Sequence, residues 1–526
     1  MKKFNSYIVL LIIVFITISS CNKKYDEYTP DPNRPVSVPP YLVLRQILND
    51  MIVYPGDDAD KFCQYVLSSY TYYGTNEYWT GSANLNYGTL RNVVAMDKEA
   101  TKSGTDNNPY SALAKFFKAY FFIDMSLKVG DVPMTDALQG LDNPTPKYDS
   151  QKDVFKQSLD LLEQANTDLA ALIGAADVSL LGDFYYQERI NSPLTPLNAL
   201  KAWQKVVNTY KLRVLIELSK KADDADLGVK QKFNDVLSNP SKYPIMESMD
   251  DNLQYVYNNA FNKYPNNKDN YGFDATRITV AETWINTLSA LKDLRVMKVA
   301  DPARGLGYPD TDFRSFVGAP NGEDVSTMGG KVEDGLYALV GRKRYYDGYT
   351  GENTFIIGYP EMCFNIAEAI NRGWVAGDAN SWYQNGIKAS FDFYGVVDGD
   401  NTINFLRTLA PGDYISYTVN FSYANYFSQP AVAYAGDNAT GLNQILTQRY
   451  LALARNSGYE AYYQWRRTGV PTFSVGPGIG NSGVIPLRWQ YPSAELSTNK
   501  DNYTAAVQSQ YGGDDNINAK MWIVQD

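Results

Sequence analysis

The stretch 68–93, SSYTYYGTNEYWTGSANLNYGTLRNV, interleaves aromatic rings with amide and hydroxyl side chains, and Gly74, Gly81 and Gly88 interrupt it. A ring stacks on the apolar face of a pyranose and an amide bonds its hydroxyls, so this mixture on a loop suits sugar recognition. Tyr72, Tyr73, Asn76, Tyr78 and Trp79 are its candidate ligand-binding residues. A second candidate group, Arg342, Tyr345 and Tyr346, lies beside Arg344 and Tyr349. Each group has a structural alternative. A long loop needs its own packing, and rings can close it over a helical body or stack in a solvated turn.

Covalent and acid–base chemistry is poorly supplied. The chain has no histidine, which excludes a His-based triad, a His general base and His metal ligands. Its three cysteines, Cys21, Cys63 and Cys363, form no Cys-x-x-Cys pair, so no metal or cofactor is expected. Cys63 and Cys363 are read as buried thiols. The densest acids, Asp57-Asp58-x-Asp60 and Asp514-Asp515, are adjacent on polar segments and read as solvated charge. A glycosidase needs two carboxylates opposed across a cleft, which adjacency does not provide. Gly476-Pro477-Gly478-Ile479-Gly480 opens no helix and so lacks the helix start that a phosphate cradle needs.

The 526 residues are 44% hydrophobic and 20% charged, a globular composition with length for a large core. A net charge of −10 with no long basic run argues against nucleic-acid binding. The rings belong to an unusual stock of 42 Tyr, most of which are expected to fill helix interfaces.

The elements that position these groups read as helices. Apolar residues three and four apart predict helices over 41–52, 110–128, 153–172, 197–222, 279–291 and 442–456, with another over 62–70. In 197–222 the stripe Leu200, Trp203, Val207, Tyr210, Val214 and Leu218 is core, and Arg213 is placed to anchor a neighbouring loop. Trp284 is likewise a core residue by its spacing to Leu288 and Leu291. Residues 359–396 predict a helical hairpin broken at Gly373 and Gly377, with Ala367, Ala369 and Ala389 allowing close approach.

That hairpin carries Glu368-Ala369, Arg372-Gly373-Trp374 and Tyr383-x-x-Gly386-Ile387-x-Ala389-Ser390, which together resemble the C-terminal half of the SusD/RagB family. Glu460-Ala461-Tyr462, Trp465-Arg466-Arg467-Thr468-Gly469 and Arg488-Trp489-x-Tyr491-Pro492-x-x-Glu495 resemble its C-terminal signature. The helix ending in Gly130-Asp131-Val132-Pro133 and the stretch 197–222 fit the same family, whereas Leu294 departs from its usual Asp-Pro-Arg segment. The resemblance implies an all-α fold, an irregular tetratricopeptide-type superhelix with long loop insertions. It implies repeat parts at about 105–222 and 359–396, within a single body over 41–526. Ligand-binding insertions fall at about 68–93, 223–358 and 398–441.

The N-terminus sets an address. Lys2 and Lys3 precede an apolar run, and Ser19-Ser20 precede Cys21, so 1–20 reads as a lipoprotein signal peptide and Cys21 as the lipidated residue. Residues 21–40, rich in proline, read as a tether. The resemblance then implies a surface-exposed outer-membrane lipoprotein, not an enzyme, that binds an oligosaccharide and passes it to a SusC-like TonB-dependent transporter. The alternatives are a peptide ligand in the same role, a secreted α-helical glycan hydrolase, or a repeat scaffold without a small ligand.

Overall fold

The computed structural model describes residues 37–525 except 57, 73, 103, 177, 272–275 and 409. The signal peptide, Cys21, most of the tether, and Tyr73 therefore lie outside the described residues.

The longer helices of the N-terminal half are α1 (Pro40–Asp50), α2 (Tyr87–Thr101), α3 (Pro109–Val129), α4 (Gln151–Ala175), α5 (Pro196–Glu217) and α6 (Val229–Ser238). Those that follow are α7 (Glu282–Ala290), α8 (Val325–Glu333), α9 (Tyr359–Asn371), α10 (Ala379–Tyr394), α11 (Ala439–Ala452), α12 (Glu460–Thr468) and α13 (Lys500–Tyr511). Each of α1 to α5 packs on the next, α5 packs on α9, and α9 packs on both α10 and α11. Successive helices stacked in this way make a superhelix, and the helical fold class holds. One hydrophobic cluster runs from Leu44 to Val524.

Local chemistry sets the helix limits. Asn108, Ser150 and Thr195 cap α3, α4 and α5 by accepting from Ser111, Asp153 and Asn198 backbone N–H groups, and Pro109 and Pro196 open their helices. Gly130 ends α3 at φ 98°, and a Cβ there would lie 2.3 Å from Tyr511 Oη, so glycine serves both the turn and the approach of α13. Sequence periodicity assigns α3 a single buried face. In the structure Leu113, Phe117, Phe121 and Phe122 are buried as well as Ala112, Phe116, Ala119 and Ile123, because both α2 and α4 pack on α3.

Three expectations are corrected. Residues 62–70 are not a helix: a short helix Asp58–Phe62 leads into strand β1 (Val66–Ser68). The stretch 68–93 is irregular only until α2 begins at Tyr87. Helix 279–291 starts later than its apolar spacing suggests, since Ile278–Val280 is strand β3. There Tyr65 and Ala338 carbonyls accept from the Ala281 and Val280 N–H groups, and pairing overrides helical spacing.

Small sheets knit the insertions to the stack. With β2 (Leu253–Tyr255), β4 (Ala300–Asp301), β5 (Leu339–Val340) and β6 (Thr354–Ile357), they form a four-stranded antiparallel sheet β1-β3-β5-β4 and a pair β2-β6. Val66 pairs with Val280 and Ala300 with Val340. Within 398–441 a long hairpin joins β7 (Gly399–Leu406) to β8 (Tyr414–Phe421). Cys63 and Cys363 are buried and unpaired.

Candidate ligand-binding surface

Most of the ring-and-amide groups singled out by sequence are walls, not platforms. Asn76 is 2% exposed; its Oδ1 accepts from Ser68 N–H at 2.8 Å and its Nδ2 donates to Ser68 O at 2.9 Å. The amide thus pairs with β1 as a further strand residue would. Tyr78 is equally buried and donates to Phe62 O. Trp79 is half-buried, stacked on Trp489 with centroids 3.8 Å apart and planes 6° apart, and its Nε1–H donates to Arg488 O. Tyr72, by contrast, is exposed, at 77%.

The second group is also interior. Arg342, Tyr345 and Tyr346 are buried. The Arg342 backbone N–H donates to Asp301 Oδ2 at 2.9 Å, the Arg455 guanidinium lies 4.1 Å from the Tyr345 ring centre, and Tyr346 Oη accepts from Asn266 Nδ2 at 3.3 Å. Asn76, Tyr78, Arg342, Tyr345 and Tyr346 thus present almost no surface in this structure. Asn76, Tyr78 and Tyr346 are held by hydrogen bonds within the fold, whereas the buried Tyr345 hydroxyl has no partner among the described residues.

A ring-lined cleft of about 620 Å³ lies within the 223–358 insertion. One wall is the second half of α7, with Asn286, Ser289 and Ala290, followed by Lys292. The other is the loop from Leu306 to Val317, which presents Tyr308, Phe313 and Arg314. Periodicity missed these rings because the loop has no repeat. The signal available was its turn chemistry, Gly307-Tyr308-Pro309-Asp310, followed by Asp312-Phe313-Arg314.

Hydrogen bonds hold the two walls in register. Asn286 Oδ1 accepts from Gly318 N–H at 2.9 Å, and Ser289 Oγ donates to Phe316 O at 2.8 Å. Phe316 is buried behind the cleft against Phe405. Ser315 Oγ donates to Pro309 O at 2.7 Å and closes the loop on itself. Arg304 bonds both Asp310 oxygens at 2.9 Å, and Tyr417 of β8 donates to the same carboxylate at 3.0 Å. The hairpin in 398–441 therefore braces the loop in 223–358.

Tyr308 is 41% exposed, and the Arg314 guanidinium lies 4.4 Å from its ring centre. Arg314 is fixed in turn by hydrogen bonds to both oxygens of Asp312. These bonds hold the Asp312 carboxyl down at about 2. Burial works against ionisation of Asp310, yet the hydrogen bond and charge of Arg304 leave it below the ordinary carboxylate range. A general acid for glycoside cleavage needs the opposite shift. Both acids at this cleft are committed to arginines, and what the cleft offers is a braced ring platform with polar edges.

Two other concavities, each about 350 Å³, are more polar: one between 247–250 and α10, the other between the ends of α9 and α12 and the start of α11. Among the described residues no group of acids and cysteines is placed to hold a metal, and no helix is long and apolar enough to cross a membrane.

Comparison with known proteins follows the same lines. The SusD-like family model, described as starch-binding and associating with the outer membrane, matches residues 32–492. A SusD homologue from Bacteroides fragilis is similar at 28% identity and a TM-score of 0.78, covering 93% of this chain and 100% of its own. A second from the same species gives 27% and 0.74 with the same coverage. A chitin-binding protein is 25% identical at a TM-score of 0.66, covering 92% of this chain and 99% of its own. Among curated proteins none matches the chain. Since the family model spans most of the chain and the same helical stack recurs in SusD homologues along their whole length, the chain belongs to the SusD-like family.

Proposed function

We propose that the chain is an oligosaccharide-binding lipoprotein, anchored through Cys21 and exposed at the outer-membrane surface, that delivers its ligand to a SusC-like TonB-dependent transporter. The observation that carries the binding role is the ring-lined cleft between α7 and the loop 306–317, in a chain of the SusD-like family. A partly exposed tyrosine braced from one side by an arginine suits stacking on a sugar ring. A chitin-binding relative favours a glycan over a peptide. Exposed Tyr72 is a further candidate contact of the same kind.

Binding without turnover is the expected behaviour. Titration calorimetry against a panel of oligosaccharides should show saturable binding and no new reducing ends on prolonged incubation. Tyr308→Ala should weaken that binding roughly tenfold, about the loss of one well-placed ring, with folding retained. New reducing ends would sink the binding-only reading, and unchanged affinity in Tyr308→Ala would move the site elsewhere.

A further inference from the structure

We propose that the cleft takes a glycan bearing an anionic group, most simply a uronate carboxylate, and that Lys292 is the residue that selects it. This rests on reading the cleft as a glycan site.

The first observation is a charge imbalance. Arg314 at the rim is neutralised by Asp312, and Arg304 beside it by Asp310. Lys292 also lines the cleft and is exposed, and among the described residues no carboxylate lies within ion-pair distance of it. The paired groups cancel, which leaves the lining with one positive charge. The chain as a whole carries −10, so this cation runs against the general charge. Beyond about 8 Å the surrounding acids are screened at physiological salt, and a ligand inside the cleft meets Lys292 first.

The second observation is the backbone beneath that charge. Lys292 follows the last turn of α7 with φ 51°, the left-handed region. Its N–H donates to Ser289 O at 3.0 Å, and Asp293 N–H donates to Leu288 O at 2.9 Å, the pattern of a helix closed by a left-handed residue. The turn is required, because it delivers Asp293 into the interior, where it pairs with Arg295. A lysine is not required there. Glycine makes the same turn without a Cβ penalty and is the usual residue at this position. Ala176 closes α4 in the same left-handed way, so the conformation alone assigns no role; what sets Lys292 apart is that its side chain lines the cleft. An ammonium on a flexible stem at the edge of a ring platform is suited to an anionic substituent of a stacked sugar.

The test uses the mature full-length protein and an array of uronate-containing oligosaccharides, each paired with its carboxyl-reduced neutral form of identical linkage. Wild type should bind acidic members at least roughly tenfold more tightly than their reduced partners, with the difference shrinking as salt rises. Lys292→Gly should abolish the difference while raising the unfolding midpoint, since it removes both charge and strain. Lys292→Arg should keep the preference. Equal binding of both forms by wild type, or a preference that survives Lys292→Gly, overturns the inference and leaves the glycan reading standing. Absence of binding to every member overturns both.

Discussion

Asp131 shows how a single residue inherits its behaviour from packing. It follows α3 in Gly-Asp-Val-Pro and is buried where the C-terminal segment crosses: its Oδ1 accepts from Gln151 N–H at 2.7 Å, and its carbonyl accepts from Tyr491 Oη. Burial first, then the charges of Asp153 and Asp149, push its carboxyl up to about 7. The folded state then holds this proton more tightly than the unfolded chain, whose carboxyl titrates near 4. Stability from this group is complete below about pH 4 and is lost as pH rises through about 7. The unfolding midpoint should fall between about pH 4 and 7. Asp131→Asn keeps the acceptor for Gln151 and should raise the midpoint at pH 8 by about 2 °C while leaving it nearly unchanged at pH 4. Identical pH profiles for the two proteins in scanning calorimetry would show that Asp131 is not responsible. Trp79 makes a different residue-scale point: its indole, clamped by Trp489 and Arg488 O, ties the loop to the C-terminal segment, so its exposed edge is secondary to that contact.

At the scale of elements, the α9–α10 hairpin closes tightly on a glycine. A Cβ on Gly386 would stand 2.7 Å from Phe364 Cζ and 2.9 Å from both Cε atoms. Two effects then compete in Gly386→Ala. Alanine gains about 1 kcal/mol of helix propensity, and overpacking against a buried ring costs about 1 to 3 kcal/mol. Phe364 is fully buried and cannot swing away, so the second effect should win. Gly386→Ala is expected to lower the midpoint in chemical denaturation, and Phe364→Leu in the same chain should recover part of the loss. A stabilised single variant would mean the helices are not in close contact there. The C-terminal signature residues act between elements in the same way. Arg467 pairs with Glu368 of α9, Arg466 donates to Leu127 O of α3, and Arg488 pairs with Asp515 while donating to Val129 O. Each long donor caps a buried carbonyl or carboxylate that two packed helices leave over.

For the whole molecule, the division of labour is between a helical stack and the loops it displays. The stack carries the dense core, and the ring-lined cleft lies on an insertion braced by the β7–β8 hairpin. The proposed anchor adds a third part, a lipidated Cys21 ahead of a proline-rich tether. Cys21→Ala should abolish fatty-acid labelling and release the protein from the membrane fraction, since acyl chains supply the stable attachment. A mutant still sedimenting with outer membranes would count against the anchor.

The sequence by itself determined most of the long helices and pointed to the family. Runs such as Phe116, Ala119, Tyr120 and Ile123, or Leu200 to Leu218, repeat at the helical period because each helix must bury a face, and that rule is local. The signature at 460–495 was legible through its resemblance to the family, and its arginines cap buried groups. Burial of particular rings was decided by tertiary structure alone. Tyr78, Tyr345 and Tyr346 share the composition of Tyr72 and Tyr308, yet the first three are enclosed and the last two are exposed. Composition records that a ring is present; whether its face is covered depends on which distant segment arrives, as Trp489 does over Trp79. The cleft is of that kind as well. Its two walls are α7 and a loop without period, joined by Asn286 to Gly318 and Ser289 to Phe316, and nothing in either segment alone specifies the other.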